Sequence, residues 1–178
     1  HIKSDSDRQR IKVCIGNLCK EDLGLNAGQF LSLANEVTHI VHCAADISVI
    51  SDYQSLRSAN VVGTTSIVRL AIHGRRKHLL VASTLSVFVN TDRHRGHLSE
   101  SDDLAATKVV YGGYAQSKWA AEWLLRRCQS LLPELTIVRL GLLIPDPQSG
   151  PPSQNDLLSM TLRALIKLGC VPACHPGL

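Results

Sequence analysis

The sequence predicts an α/β chain built on a doubly wound parallel sheet. Three observations lead there. Short β-rich apolar runs recur along the chain, longer stretches of helical periodicity separate them, and the runs are continuous rather than alternating, as in parallel strands covered on both faces. With 178 residues and 44% apolar content the chain is long enough to bury one sizeable core.

The elements follow in order. IKVCI at 11–15 is the first strand candidate. Residues 26–36 then place Phe30, Leu33 and Ala34 on one helical face behind Asn26, a capping side chain. HIVHCA at 39–44 is the second strand, and a helix over 60–73 opens at Asn60 and carries Val61, Ile67, Val68 and Ala71 at helical spacing. HLLVAS at 78–83 is the third strand; Ser83 and the following Thr84 stand at its carboxyl edge, where open α/β sheets bind ligands. The longest helix is predicted over 114–132, with Ala121, Leu124, Leu125 and Cys128 as its buried stripe and Pro133 as its stop. LTIVRL at 135–140 is the fourth strand. PDPQSGPPSQN at 145–155 is a turn-rich connection, after which 156–168 is helical again.

Composition narrows the function classes. The excess of 19 basic over 15 acidic residues is scattered in short clusters such as Arg75-Arg76-Lys77 and Arg126-Arg127, and aromatics make up only 4%, so a nucleic-acid surface is not predicted. No long charge-free apolar run is present and the first ten residues are charged, which predicts a soluble, cytoplasmic protein with no membrane partner. The six cysteines are irregularly spaced, and Cys14 and Cys43 fall in apolar runs, so the cysteines are expected as reduced core residues. CVPACH, with Cys170, Cys174 and His175, has no second cluster at zinc spacing, and no metal is expected.

One pair of residues carries chemistry. Tyr114 and Lys118 lie four apart on the longest helix, so phenol and ammonium share a face. A nearby cation favours phenolate and lowers the tyrosine pKa, which would make Tyr114 a better proton donor to a carbonyl oxygen gaining charge. Two surface side chains would show the same spacing. Thr84 could complete a pair of donors to that oxygen, or simply serve as a turn residue after its strand.

The ordered motifs GNLCKEDLGL, THIVHCAAD, YQSLRSANVVGT, VASTLSVF, GYAQSKWAAE and TIVRLGLLIP resemble the extended short-chain dehydrogenase/reductases. More narrowly, they resemble the thioester reductase domains that end nonribosomal peptide and polyketide synthases and carboxylic acid reductases, with a male-sterility-like NAD-binding domain. Ser117-Lys118-Trp119 with Glu122, Leu23-Gly24-Leu25, and Leu56-Arg57 followed by Asn60-Val61-Val62-Gly63-Thr64 are the more specific signatures.

The resemblance implies a Rossmann-type sheet in which Tyr114 is the proton donor, Lys118 tunes it and binds the nicotinamide ribose, and Thr84 is the second donor. It implies that Asn17 and Leu18 lie beside the adenine, that Cys43, Ala44 and Ala45 form the close-approach turn, and that Asn60 supports the active site. Ser83 and Leu140-Gly141-Leu142 would line the nicotinamide side. It implies NADPH, with NADH an alternative, and a phosphopantetheine-linked substrate on an acyl or peptidyl carrier domain, for which Arg75, Arg76 and Lys77 are candidate docking cations. The reaction implied is reduction of the thioester to an aldehyde or alcohol. A fatty acyl-CoA reductase or a non-catalytic NAD(P)-binding regulator would share the pattern; the Ser-Lys-Trp and Leu-Gly-Leu signatures argue against an epimerase.

No opening strand with a glycine-rich phosphate loop is found, so that half-motif is expected upstream of residue 1. Residues 1–145 are accordingly expected to be part of the NAD(P)-binding domain and 146–178 the start of a truncated substrate-binding region, the piece by itself lacking activity.

Overall fold

The computed structural model describes residues 5–88, 98–107, 109–144 and 156–173. Three parallel strands form its sheet in the order β1-β2-β3, with β1 at His39–His42, β2 at His78–Thr84 and β3 at Leu135–Leu140. The register pairs His39 with His78 and Val41 with Leu80, then Leu79 with Leu135 and Thr84 with Leu140. All three strands therefore end near one edge, and Thr84 stands on it as expected.

Six α-helices accompany the sheet among the described residues. They are α1 (Asp5–Gln9), α2 (Ala27–Glu36), α3 (Tyr53–Arg57), α4 (Gly63–Ile72), α5 (Gly113–Arg127) and α6 (Leu157–Leu168). Leu79 and Val81 of β2 pack with Ile67, Val68 and Ala71 of α4, Leu125 of α5 and Leu132. Each of these larger apolar side chains contributes about 1.5–3 kcal/mol by leaving water. The apolar runs read as strands covered on both faces. Among the described residues, however, β2 alternates buried with half-buried positions, and Val41 and Val138 on its neighbours are exposed.

Local chemistry explains several helix ends. Asn26 caps α2 reciprocally: its side chain accepts from the Gln29 amide at 2.9 Å while the Gln29 side chain accepts from the Asn26 amide at 3.2 Å. Such a cap stabilises a helix by about 1 kcal/mol. Asp156 caps α6 through the Ser159 amide at 2.8 Å, and Gly169 ends that helix in the left-handed region at φ 64°.

Four expectations are corrected. Residues 11–15 form no strand: Val13 and Ile15 are 86% and 89% exposed, and no described strand pairs with them. A β-prone run becomes a strand only when another backbone completes its ladder. Asn60 does not open its helix, because Asp52 caps α3 through the Ser55 amide at 2.9 Å and a π-helical turn, Ser58–Val62, joins α3 to α4. The longest helix ends at Arg127, with a short helical turn at Gln129–Leu131 before Pro133. Among the described cysteines Cys14, Cys19, Cys43, Cys128 and Cys170 are free thiols, but Cys14 and Cys43 are exposed rather than in the core.

Lys77 corrects one further expectation. It is fully buried, its Nζ donating to the carbonyls of His73 at 2.9 Å and Arg75, so it satisfies the end of α4 instead of joining Arg75 and Arg76 at the surface. Burial lowers its pKa, and the neighbouring Arg75 lowers it further.

The glycine of the Asn-Val-Val-Gly-Thr motif has a steric reason. A Cβ on Gly63 would meet Leu18 Cγ at 2.4 Å and the Leu18 carbonyl oxygen at 2.9 Å, so only glycine lets the 16–25 segment lie against α4.

Candidate functional site

Helix α5 carries the expected pair to the carboxyl edge of the sheet. Lys118 is 7% exposed and its Nζ donates to the Ala82 carbonyl at 2.8 Å, two residues before Thr84. Tyr114 lies one turn earlier and is half-buried. Thr84 itself is half-buried; its Oγ1 accepts from the Ser86 amide and donates to Ser86 Oγ, both at 3.2 Å. Lysine, phenol and hydroxyl thus come from two elements meeting at one sheet edge.

The position of Tyr114 is held by a buried polar chain. Asn60 Oδ1 accepts from the Asp46 amide at 2.8 Å, while its Nδ2 donates to the Asp46 carbonyl and to Ser117 Oγ, each at 2.9 Å. Ser117 Oγ donates to the Tyr114 carbonyl at 2.8 Å. One side-chain amide therefore ties the loop after β1 and the π-helical turn to the first turn of α5. Buried networks satisfied in this way rigidify what they connect.

The expectation that Lys118 lowers the Tyr114 pKa is not met. Burial pushes the Tyr114 phenol above its ordinary value, because the charged phenolate loses more by leaving water. The Lys118 ammonium is turned to Ala82. Its own pKa is lowered, first by burial, with the Glu122 carboxylate and then Cys43 opposing that shift. The geometry thus gives a phenol that stays protonated at neutral pH beside a desolvated cation.

His42, at the end of β1, is a buried imidazole that sequence reading passed over. Its Nε2 lies 3.4 Å from Thr64 Oγ1, whose hydroxyl donates to the Asn60 carbonyl at 2.7 Å. Burial first and the Lys118 ammonium second hold its pKa down to about 4. An unfolded imidazole protonates near ~6.5, so between these values the unfolded state binds the extra proton; stability is full above that upper value and drains as pH falls toward 4. The expected loss is on the order of 2–3 kcal/mol. Urea unfolding at neutral pH and near pH ~4.5 measures it, and an equal loss in His42→Gln would place the acid sensitivity elsewhere.

Other expected residues sit as follows. Cys43 and Ala44 are exposed and Ala45 half-buried after β1, leaving the backbone there open. Asn17 is engaged in its own turn, its Oδ1 accepting from the Cys19 amide at 2.9 Å, and Leu18 packs toward the core of α4 and β2. Ser83 is buried, with Oγ donating to Glu122 Oε2 at 2.9 Å. Leu140 is half-buried, while Gly141 and Leu142 are exposed beyond β3.

An apolar cleft of about 400 Å³ lies elsewhere, lined by Tyr53, Val109, Val110, Gln116 and Trp119. At 100° per residue, Gln116 and Trp119 lie on the face of α5 opposite Tyr114 and Lys118. Among the described residues that line it there is no carboxylate, imidazole or ammonium group.

Among the described residues no group of three or more His, Cys, Asp or Glu side chains is placed to hold a metal, and no helix is long and apolar enough to cross a membrane. Cys174 and His175 lie outside the described residues, as does the 145–155 connection.

Comparisons with known proteins show which proteins the chain resembles. The chain is 31% identical over 169 residues to a linear gramicidin synthase of Brevibacillus parabrevis, covering 94% of this chain and 3% of that protein. It is 32% identical over 174 residues to L-2-aminoadipate reductase of Saccharomyces cerevisiae, covering 91% of this chain and 12% of that one. The crystal structure of the terminal R domain from the myxalamid PKS-NRPS biosynthetic pathway superposes with a TM-score of 0.86 at 34% identity, over 95% of this chain and 43% of that domain. The reductase (R) domain of a nonribosomal peptide synthetase from Mycobacterium tuberculosis gives 0.60 at 27% identity, over 75% and 32%. The chain therefore spans a small part of the synthases and less than half of the solved R domain. An archaeal thiolation-reductase di-domain, at 19% identity and a TM-score of 0.68, shares the fold. The family described as male sterility protein, an NAD-binding domain, matches residues 1–178. With its Rossmann-type parallel sheet and its Tyr114–Lys118 helix, the chain belongs to that NAD-binding family, as a relative of the terminal reductase domains.

Proposed function

We propose that this chain is part of a cytoplasmic NADPH-dependent thioester reductase that releases an acyl or peptidyl group from the phosphopantetheine arm of a carrier domain as an aldehyde or alcohol. The observation that carries the reading is the joining of α5 to the carboxyl edge of β2: Lys118 Nζ on the Ala82 carbonyl at 2.8 Å, with Tyr114 one turn away on the same helix and Thr84 at the strand end. In this reading residues 1–145 contribute to the NAD(P)-binding domain and 146–178 begin the substrate-binding region.

The residues at that edge suit a nicotinamide cofactor. Lys118 has three ammonium donors, of which the Ala82 carbonyl takes one, leaving donors for ribose hydroxyls. Small residues at Ala44 and Ala45 leave the backbone after β1 accessible, and Asn60 fixes the neighbouring loop. When bound, the cofactor supplies the hydride.

The chain's own residues supply the rest. Thr84 and Tyr114 donate hydrogen bonds to the thioester oxygen as negative charge develops on it, and Tyr114 transfers its proton. The raised Tyr114 pKa keeps that proton in place at neutral pH. Collapse of the resulting hemithioacetal breaks the carbon–sulfur bond, the thiol leaves protonated and the aldehyde remains. Exposed Arg75 and Arg76 offer charge to an acidic carrier surface.

The test follows NADPH loss in the complete reductase with an acyl thioester on a carrier domain, with the same acyl group on coenzyme A, and with no thioester, while mass spectrometry identifies the product. Aldehyde or alcohol formed in step with NADPH loss, fastest from the carrier, is the expected result. Equal rates from coenzyme A would remove the carrier assignment, and NADPH binding without consumption of any thioester would leave a regulator on this fold.

A further inference from the structure

A buried carboxylate joins α5 to β2 and β3 at the proposed site. Glu122 is 1% exposed, one turn beyond Lys118 on α5. Its Oε2 accepts from Ser83 Oγ at 2.9 Å, so it reaches β2 beside Thr84. Its Oε1 accepts from Arg139 Nε at 3.0 Å and from Arg139 Nη2, so it also reaches β3 just before Leu140-Gly141-Leu142. Arg126 Nε adds a longer contact at 3.4 Å.

Arg139 is itself braced, its guanidinium lying over the Phe88 ring at 4.6 Å and donating to the Glu100 carbonyl at 3.3 Å. A carboxylate taken out of water persists as a charge only when paired and hydrogen bonded, and this one is tied to helix and both strands at once.

We infer that Glu122 is a positioning residue for the reductase: clamped by Arg139, it fixes the Tyr114–Lys118 helix against the strand carrying Thr84. This rests on the functional reading above. The groups that act on Lys118 are few: Glu122 on α5, Cys43 after β1 and the Ala82 carbonyl of β2. Of the other charged or titratable groups on the strands packed against α5, His42 of β1 is neutral and Arg139 of β3 is engaged with Glu122. Burial pulls the Lys118 pKa down, and the Glu122 carboxylate is the foremost influence raising it. Removing that charge lowers the Lys118 pKa further, so Lys118 loses its proton at lower pH.

The experiment compares wild type, Glu122→Asp, Glu122→Gln and the double variant Glu122→Gln/Arg139→Gln in the complete reductase. Thioester kcat/KM and NADPH affinity by cofactor fluorescence are both followed from neutral into alkaline pH. Glu122→Gln is expected to lose about tenfold to hundredfold in kcat with little change in NADPH affinity at neutral pH. Its alkaline limb moves to lower pH in both measurements. Glu122→Asp keeps the limb where it is in wild type. The double variant leaves no unpaired buried cation, so it folds even if the single variant does not, and it shows the same lowered limb. A lower melting temperature with an unmoved limb would make Glu122 a packing residue alone; a wild-type limb in the double variant would assign the effect to unpaired Arg139. If wild type consumes no thioester the functional reading fails, and the pH limb of NADPH binding still decides the role of Glu122.

Discussion

Tyr114→Phe in the complete reductase is expected to cut kcat for thioester reduction by a factor of about 10² to 10⁴ and to leave NADPH affinity nearly unchanged. The substitution keeps the ring that half fills its place on α5 and removes only the hydroxyl. Its backbone remains tied to Ser117 and through it to Asn60, so the helix keeps its seat. On the proposed mechanism, what is lost is the proton donor to the carbonyl oxygen. Because burial raises the Tyr114 pKa, wild-type activity should persist through neutral pH and fall only when the phenol or Lys118 titrates on the alkaline side. Wild-type turnover in the variant would remove Tyr114 from the chemistry. A parallel loss of NADPH affinity would reassign it to the cofactor site.

Gly113→Ala should damage both stability and rate, against the direction that helix propensity suggests. Alanine in a helix interior is favoured over glycine by about 1 kcal/mol, and Gly113 begins α5. Yet a Cβ there would stand 2.3 Å from the Ser51 carbonyl oxygen, 2.4 Å from the Asp52 carbonyl carbon and 2.6 Å from the Tyr53 amide nitrogen. All three are backbone atoms, so no side-chain rotation relieves the clash and α5 must shift away from the loop that caps α3. The cost is expected at about 1–3 kcal/mol of stability. Tyr114 is the next residue, and a displacement of about 1 Å at a reacting group lowers turnover about a hundredfold. Urea unfolding and thioester kcat measured on one preparation decide it; a variant as stable and active as wild type would show that the close approach has room to give.

Features resting on neighbours in the chain were legible from sequence. Asn26 closes the start of α2 as the capping residue expected, because that interaction spans three residues and needs no partner from elsewhere. The three paired strands were legible as apolar runs, and the edge position of Thr84 followed from the end of β2. The spacing of Tyr114 and Lys118 was likewise a local fact, which a helix turns into a shared face. Asp52 was a capping signal passed over in favour of Asn60, and it moved the start of that helix to Tyr53.

What tertiary structure decided lies where side chains meet across elements. The run at 11–15 has strand composition but no described strand beside it, and composition cannot supply a ladder. Lys77 looked like surface charge and is buried, since the carbonyls at the end of α4 take its donors. The Tyr114 pKa moves up, not down, because desolvation dominates while Lys118 bonds the Ala82 carbonyl. Arg139 inside an apolar strand and Glu122 on an amphipathic helix were each visible, but nothing in their 17-residue separation announced that they would meet. The sequence by itself determined the α/β class, the local caps and the shared face of Tyr114 and Lys118, all set by covalent spacing and backbone geometry. Only the folded packing decided which charges are buried, which partners they find and how their protons are held, because those energies depend on distance and on exclusion of water, and neither is written along the chain.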